Sequence, residues 1–456
     1  DLSTVKREER HFPGTLRQQL IENLPFTLTS GQFEVLREID TDISSSAPMA
    51  RLLQGDVGCG KTLVAFLTAL SFIETGMQAV LMAPTELLAK QHAENAFTLL
   101  SSLGVQVAFL SGSVTGEKRR TLLDRISSGE VDLIAGTHAL FSEDVRFHKL
   151  GFIIIDEQHR FGVLQRRALI SKAEAPDVLF MTATPIPRTL AITIFGDLEI
   201  STITTMPAER KPVVTHLARE GNEAKVYERV RRELSSGRQA YFVYPLIDES
   251  EVLTLKDAEN MFRYLQDEVF PEFSLGLIHS RVDEQRKETV MSSFAEGNIQ
   301  LLVATSVVEV GVDVPNATCM VIEHADRFGL SALHQLRGRV GRGEHQSYAF
   351  LIYSEQLTEE GKRRLKVMKE HSDGFYIAEE DLHLRGAGNI AGTRQSGYFQ
   401  LGIADPVAHL NVMIDAKKDV DAILARDPGL LEPEHNLIRE VLSKAPPFPS
   451  ETIEQG

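Results

Sequence analysis

Nine strand-length runs of nearly unbroken apolar residues constrain the fold of this chain more than any other feature. AVLMAP (79–84), VDLIAGT (131–137), GFIIIDE (151–157) and VLFMTAT (178–184) form a first series. QAYFVYP (239–245), SLGLIHS (274–280), IQLLVAT (299–305), CMVIEHA (319–325) and SYAFLIY (347–353) form a second. Continuous apolarity, in place of alternation, means that both faces of each strand are covered. Helical patterns between runs bounded by turn residues then imply parallel α/β architecture. Two series imply two similar domains, with a seam in TTMPAERKPVVTH (204–216), where two prolines and a charge cluster interrupt the pattern. Beyond about residue 355 the runs stop, and charged helical sequence follows. The expected division is a leading segment 1–25, a first domain 26–207, a second 208–355, and a C-terminal region 356–456.

Composition narrows the class. With 456 residues the chain suits two large domains and an appendage. The formal net charge of −16 argues mildly against a general electrostatic nucleic-acid binder, so any such contact must be local and aimed. Cys59 and Cys319 lie far apart and form no disulfide framework or metal-ligand spacing, which suits a reducing cytosol. No apolar run approaches the ~20 residues that span a bilayer. No signal-peptide pattern is present, and the absence of an opening methionine leads us to expect a fragment of a longer protein.

GDVGCGKT (55–62) fits G-x-x-x-x-G-K-[ST] and stands between the strand-like RLLQ and the helical LVAFLTALSFI, the context that gives this motif its meaning. Gly55, Gly58 and Gly60 let the backbone turn so that N–H groups point at phosphate oxygens, with Asp56, Val57 and Cys59 completing the loop. The following helix adds its positive dipole end. Lys61 is expected to reach the β and γ phosphates, and the Thr62 hydroxyl to bind Mg²⁺. The alternative is a glycine-rich turn with a chance lysine. In GFIIIDE, an apolar strand runs into two adjacent carboxylates, which is costly unless something cationic sits there. Downstream of a phosphate loop, Asp156 is placed to hold Mg²⁺ through water and Glu157 to orient or deprotonate the attacking water. Otherwise the pair is a helix N-cap.

HQLRGRVGRG (334–343) adds Arg337, Arg339 and Arg342 in the second series. Arg339 and Arg342 could enter a cleft and stabilise charge building on a γ-phosphate, although a basic, glycine-interrupted helix start is by itself more often a solvated surface.

These motifs, with APTELLAKQH (83–92), DEQH, TATPIPRTL (182–190) and LLVATSVVEVGVDVPNA (301–317), occur in the order of a superfamily 2 helicase motor. More narrowly, the chain resembles the RecG family of bacterial ATP-dependent branch-migration helicases. GDVGCGKT, DEQHRFGV, MTATPIPRTLA, RFGLSALHQLRGRVGRG and DLHLRGAGNIAGTRQSG carry the likeness over roughly residues 20–400. The Mfd transcription-repair coupling translocases share part of it, while the Gln of DEQH and the QSG ending favour RecG. An interaction module using ATP only as a binding switch is the reading from another class.

The resemblance implies two tandem RecA-like domains, a C-terminal helical hairpin and loop, ATP and Mg²⁺ as cofactors, and a DNA-dependent ATPase acting on branched double-stranded DNA such as forks and Holliday junctions. It further implies a monomer in the bacterial cytoplasm, with no membrane partner and with single-strand DNA-binding protein as a candidate recruiter. Carried over residue by residue, PFTLTSGQ (25–32) resembles the adenine-reading element, Phe26 stacking on the base and Gln32 hydrogen-bonding its edge; a hydrophobic staple and a helix glutamine are the alternatives. Thr182 and Thr184 would couple phosphate state to domain movement. Gly311 and Asp313 would meet nucleotide from the second domain, and Gln335 would help place the water.

DNA would cross the strand ends, contacting Thr85, Glu86, Thr137, His138, His279, Ser280, Thr305 and Ser306, each of which could equally be an ordinary strand-end cap. Arg385, Arg394 and Gln395, in and beside the loop after the hairpin EEGKRRLKVMKEHSDGFYIAEEDLHL (359–384), would convert domain closure into a push on duplex. Two positions depart from the family pattern: Asn389, where Asp is expected, and Cys59, where Ser is commoner. Neither removes a phosphate or metal ligand. Only roughly 25 residues precede PFTLTSGQ, so we expect a motor without the OB-fold wedge, hydrolysing ATP but weak in fork regression.

Overall fold

The computed structural model describes residues 7–157, 169–183, 198–207, 210–245, 251–279, 281–305, 313–385, 410–427 and 429–444. Two parallel sheets dominate, as the apolar runs require. The first has seven strands: β1 (Ala50–Gly55), β2 (Gln78–Met82), β3 (Val107–Leu110), β4 (Leu133–Gly136), β5 (Leu150–Ile155), β6 (Asp177–Thr182) and β7 (Glu199–Ile203). Their order is β3-β4-β2-β5-β6-β1-β7, and each neighbouring pair is parallel. Helices α1 (Thr15–Asn23), α2 (Ser30–Ser44), α3 (Lys61–Glu74), α4 (Glu86–Leu100) and α5 (Gly116–Ser128) accompany it.

The second sheet has six: β8 (Val214–Arg219), β9 (Gln239–Tyr244), β10 (Leu275–Ile278), β11 (Leu301–Thr305), β12 (Ala317–Ile322) and β13 (Tyr348–Tyr353), in the order β10-β11-β9-β12-β13-β8 and again parallel. With it run α6 (Glu223–Ser235), α7 (Glu251–Tyr264), α8 (Glu284–Ala295), α9 (Leu330–Arg337) and α10 (Glu359–Glu370), and α11 (Gly374–Arg385) follows in sequence. By contact density, residues 1–185 and 198–377 form one compact unit holding both sheets. Residues 186–197 and 378–456 form another, whose described helices include α12 (Leu410–Arg426) and α13 (Asn436–Lys444).

The nine expected runs all contain strands. Beyond them and β1, which the strand-like RLLQ anticipates, the structure adds β3, β7 and β8, and β8 begins inside the seam read as linker. All three lie at sheet edges. An edge strand packs and pairs on fewer sides, so β7 and β8 need no unbroken apolar run, and β8 mixes exposed with half-buried residues; β3 is apolar but only four residues long.

The core of the first sheet places Phe72 of α3 flat on Phe152 of β5, ring centroids 4.8 Å apart, with Phe12 tilted on the other side. The N-terminal segment is tied down by Arg7 and Arg10, which pair with the buried Asp177 at the start of β6. Asp177 Oδ1 also accepts the Met49 N–H at 2.7 Å. Packing α3 against β5 matters for function, because α3 starts at the phosphate loop and β5 ends at Asp156 and Glu157.

Candidate nucleotide-binding and DNA-translocation site

The loop between β1 and α3 has the geometry its glycines suggest. Gly58 and Gly60 lie at φ 78° and 90°, the left-handed region open to glycine. Gly55 is constrained by space: a Cβ there would stand 3.1 Å from the Ile203 carbonyl oxygen and collide with Cys59. Lys61, nearly buried, turns its ammonium into the loop and donates to the carbonyls of Gly55 at 2.7 Å and Asp56 at 3.0 Å. Thr62 follows in the first turn of α3.

Gln32 braces this loop from behind. Its amide accepts from the Thr29 N–H at 2.9 Å, closing a capping box on α2, and donates to the Cys59 carbonyl at 2.8 Å. The side chain expected to read a base edge is therefore engaged with backbone at both ends. Phe26, by contrast, is 43% exposed.

Asp156 and Glu157 terminate β5. Asp156 Oδ1 accepts the Glu157 N–H at 3.0 Å, and Oδ2 lies 2.8 Å from His92 Nε2 on α4. Burial alone would raise the Asp156 carboxyl, but the His92 hydrogen bond and charge, Lys61 and the Glu157 N–H together hold it below the ordinary value. Glu157 itself adopts φ 49°, an uncommon conformation for a residue with a side chain. Its Oε2 stands 3.5 Å from the Ala183 N–H, just past Thr182, which is buried at the end of β6.

Residues after β7 and from the second sheet close over this loop. Arg210, in the seam between the sheets, donates to the Val57 carbonyl and, at 3.2 Å, to the Gly341 carbonyl. Gly338 packs so tightly on Val57 that an added Cβ would come within 3.1 Å of its side chain. His334 Nε2 lies 2.7 Å from Asp56 Oδ1, which also accepts the Val57 N–H at 2.7 Å. Burial pushes Asp56 up, yet His334, that N–H and Arg210 outweigh it and keep the carboxyl below its usual range. Arg337 holds His334 in turn: it reaches His334 Nδ1 at 3.1 Å and donates to the carbonyls of Met368 and His371, both at 2.9 Å.

Arg339 is nearly buried, and Arg342 approaches Glu157 and Arg210. Burial pushes the Tyr241 phenol up to about 12 against the pull of both arginines, which places them beside β9. Burial likewise pushes the Arg342 guanidinium down to about 10; Arg210 adds to the fall, while Tyr241 and Glu157 oppose it. Glu157 and Arg342 thus act on one another across the cleft. Arg342 is paired with the Asp313 carboxylate, and the Asp313 backbone exchanges two bonds with Gln91 of α4, 3.1 and 3.3 Å long. The two adjacent carboxylates of GFIIIDE are accordingly faced by Lys61, His92 and Arg342. Gln335 lies half-buried on α9.

The expected DNA contacts divide. Thr85 caps α4, its hydroxyl accepting the Leu88 N–H at 3.4 Å, and Glu86 accepts from the Ser113 hydroxyl. His138 is exposed in a short 3₁₀ turn. His279 is largely buried at the end of β10; burial lowers its pKa, Glu259 opposes this, and Arg281, Lys287 and Arg286 add to the fall. Thr305 is 0% exposed, and the hydroxyl oxygens of Thr305 and Thr137 are both enclosed with no hydrogen-bond partner among the described residues. Both sit at the buried ends of interior strands, where the sheet and its covering helices close over short side chains. Thr184, Ser280, Ser306, Gly311, Arg394 and Gln395 lie outside the described residues, as does the side chain of Arg385 at the end of α11.

Sequence reasoning singled out neither His92, Gln91, Arg210 nor His334. The first two were legible only as part of a helical motif and Arg210 only as part of a linker; no local pattern marks a contact made across 64, 222, 153 or 278 residues of chain.

Three family models match: DEAD/DEAH box helicase over residues 30–192, helicase conserved C-terminal domain over 225–344, and ATP-dependent DNA helicase RecG, domain 3, C-terminal, over 371–445. The ATP-dependent DNA helicase RecG of Treponema pallidum is 52% identical over 427 residues, covering 91% of this chain and 62% of the relative. That of Bacillus subtilis is 47% identical over 452 residues, covering 97% and 66%. The chain thus spans less than two thirds of the length of these relatives. A solved structure of RecG bound to a three-way DNA junction superposes with TM-score 0.78 at 43% identity, over 90% of this chain and 54% of that one. The DNA-bound helicase MrfA, at 16% identity and TM-score 0.57 over 83% of this chain and 58% of that one, shares the fold.

Proposed function

Because this chain belongs to the RecG family of ATP-dependent DNA helicases, we propose that it is the motor of a DNA-dependent ATPase that translocates on double-stranded DNA, driving branch migration and the regression of stalled forks in recombination and repair. One observation carries the reading: Lys61, the Asp156–Glu157 pair and Arg342 converge on one cleft although they come from two separate sheets. The division we adopt assigns 26–207 to the ATP-binding domain, 208–355 to the domain that closes on it, and 356–456 to the translocation element.

In this mechanism the backbone N–H groups of residues 56–62 receive the phosphates, and Lys61 exchanges its loop carbonyls for phosphate oxygens. Phe26 stacks on the base. Gln32 acts first by fixing the loop, and reaches the adenine edge only if its donor leaves Cys59. The residues suit Mg²⁺: a carboxylate and a hydroxyl are hard oxygen donors, and Asp156 already stands close to the lysine. Thr62 and Asp156 would hold the ion, which when bound neutralises phosphate charge. Glu157 and Gln335 place the attacking water, and Glu157 accepts its proton. Arg339 and Arg342 stabilise charge on the γ-phosphate, a contribution of about 10³–10⁵ in rate for such arginines. To do so Arg342 exchanges Asp313 for phosphate, freeing Asp313 to meet the nucleotide alongside Gly311. Thr182 and Thr184 report phosphate state to the cleft.

We take branched duplex DNA as the substrate, since a close relative's structure holds a three-way junction. Its phosphates would lie along Thr85, Glu86, Thr137, His138, His279, Ser280, Thr305 and Ser306, with Arg385, Arg394 and Gln395 pushing the duplex. A monomer working in the bacterial cytoplasm, recruited by single-strand DNA-binding protein, completes the proposal. The test is phosphate release with single-stranded, duplex and branched DNA. Branched DNA should stimulate most, and Lys61→Ala and Glu157→Gln should each lower turnover at least ~10³-fold. Full turnover in either variant would overturn the site.

A further inference from the structure

Asp156 has a partner outside the phosphate-loop and carboxylate motifs. His92 is 6% exposed on α4, and its Nε2 lies 2.8 Å from Asp156 Oδ2. Its other ring nitrogen is enclosed and makes no hydrogen bond among the described residues, so Asp156 is the single polar contact of the imidazole there. Burying a ring with one nitrogen unpaired costs stability. An apolar side chain would fill the same space without that cost, which argues that the contact serves Asp156 and not packing.

The geometry around the pair is restrained from three sides. Asp156 Oδ1 accepts the Glu157 N–H at 3.0 Å, so the carboxylate is gripped at both oxygens, while each keeps a lone pair for water or metal. On α4, Ala89, Ala93 and Ala96 are buried in the core of the first sheet. The preceding residue, Gln91, points about 100° around the helix and bonds to the Asp313 backbone. The helix cannot rotate without breaking one contact or the other.

We propose that His92 is a positioning residue that holds the Asp156 carboxylate in the orientation receiving nucleotide-borne Mg²⁺. This rests on the ATP-site reading above. Partners of this kind behind a metal-binding group are worth about 10–100-fold in metal affinity or activity.

Equilibrium binding of a fluorescent, non-hydrolysable ATP analogue to the full chain, titrated with Mg²⁺ and repeated in EDTA, tests it. In His92→Ala the Mg²⁺ midpoint for tight binding should rise about 10–100-fold while affinity in EDTA stays within about twofold of wild type. His92→Gln, whose amide can still donate, should recover most of the loss, and His92→Leu, nearer in volume, should behave as His92→Ala if the alanine variant does not fold. A wild-type midpoint in the alanine or leucine variant, or an equal loss in EDTA, overturns the proposal. If wild type itself binds the analogue without Mg²⁺ dependence, the ATP-site reading falls and takes this inference with it.

Discussion

Glu323, immediately after β12, is a charge placed where solvent does not reach it. It is 6% exposed, and its Oε1 has no hydrogen-bond partner among the described residues. Burial, aided by Glu223 and Glu220, pushes its carboxyl up to about 8. A carboxyl raised on folding favours the folded state fully below its unfolded pKa, near 4.5, and loses that contribution as pH climbs towards 8. Wild type should therefore weaken across this window by a few kcal/mol on the order of 1.4 per pKa unit. Glu323→Gln should be flat there, with a melting temperature several degrees above wild type at pH 8 and no advantage near pH 4.5; parallel melting curves at both pH values would refute the assignment. Gly60 makes a different demand. At φ 90°, with Gln32 where a Cβ would go, Gly60→Ala should cost about 1–3 kcal/mol in denaturant unfolding and weaken nucleotide binding, because the loop and its brace must both move. Gly60 was legible from spacing. The brace was not, because Gln32 looks like any helix glutamine until the loop is folded against it.

Among the elements, α4 does most to connect the two sheets. Thr85 caps it, His92 faces β5, and Gln91 holds the backbone of Asp313, whose carboxylate pairs with Arg342. Gln91→Ala removes both bonds and loosens the support of an arginine aimed at the cleft. Its expected signature is a roughly tenfold fall in kcat for DNA-stimulated ATP hydrolysis, with KM for ATP within about twofold, as when an interaction belongs to the transition state. A change confined to KM would place Gln91 in nucleotide binding instead. Interior strands were legible because two covered faces demand unbroken apolar residues. Of the edge strands, β7 and β8 were not, since half-covered strands tolerate polar residues, and β3 was not because its apolar run is only four residues long.

At the scale of the two-sheet unit, Arg210 is one tie, beside His334 on Asp56 and Gln91 on Asp313. It bonds the phosphate loop through Val57 and the arginine segment through Gly341, from a stretch that reads as linker. Arg210→Ala should uncouple the sheets. By calorimetry, wild type should unfold in a more cooperative transition than the variant, which should show two partly resolved transitions, and addition of a non-hydrolysable ATP analogue should draw them together again. An unchanged, single transition in the variant would show that the sheets are held together by something else.

From the sequence alone came the parallel sheets, their two-fold repetition, the phosphate-loop motif with an acidic strand end downstream of it, and the arginine segment that should meet it. These are local: strand burial, glycine turns and helix starts are set by residues a few positions apart. Tertiary structure alone decided what grips what, namely His92 on Asp156, His334 on Asp56, Gln91 on Asp313 and Arg210 on Val57. Each of these is a single polar contact between segments distant in the chain. Its cause is the packing of whole elements, which places two side chains within bonding reach and leaves no periodic trace in either segment.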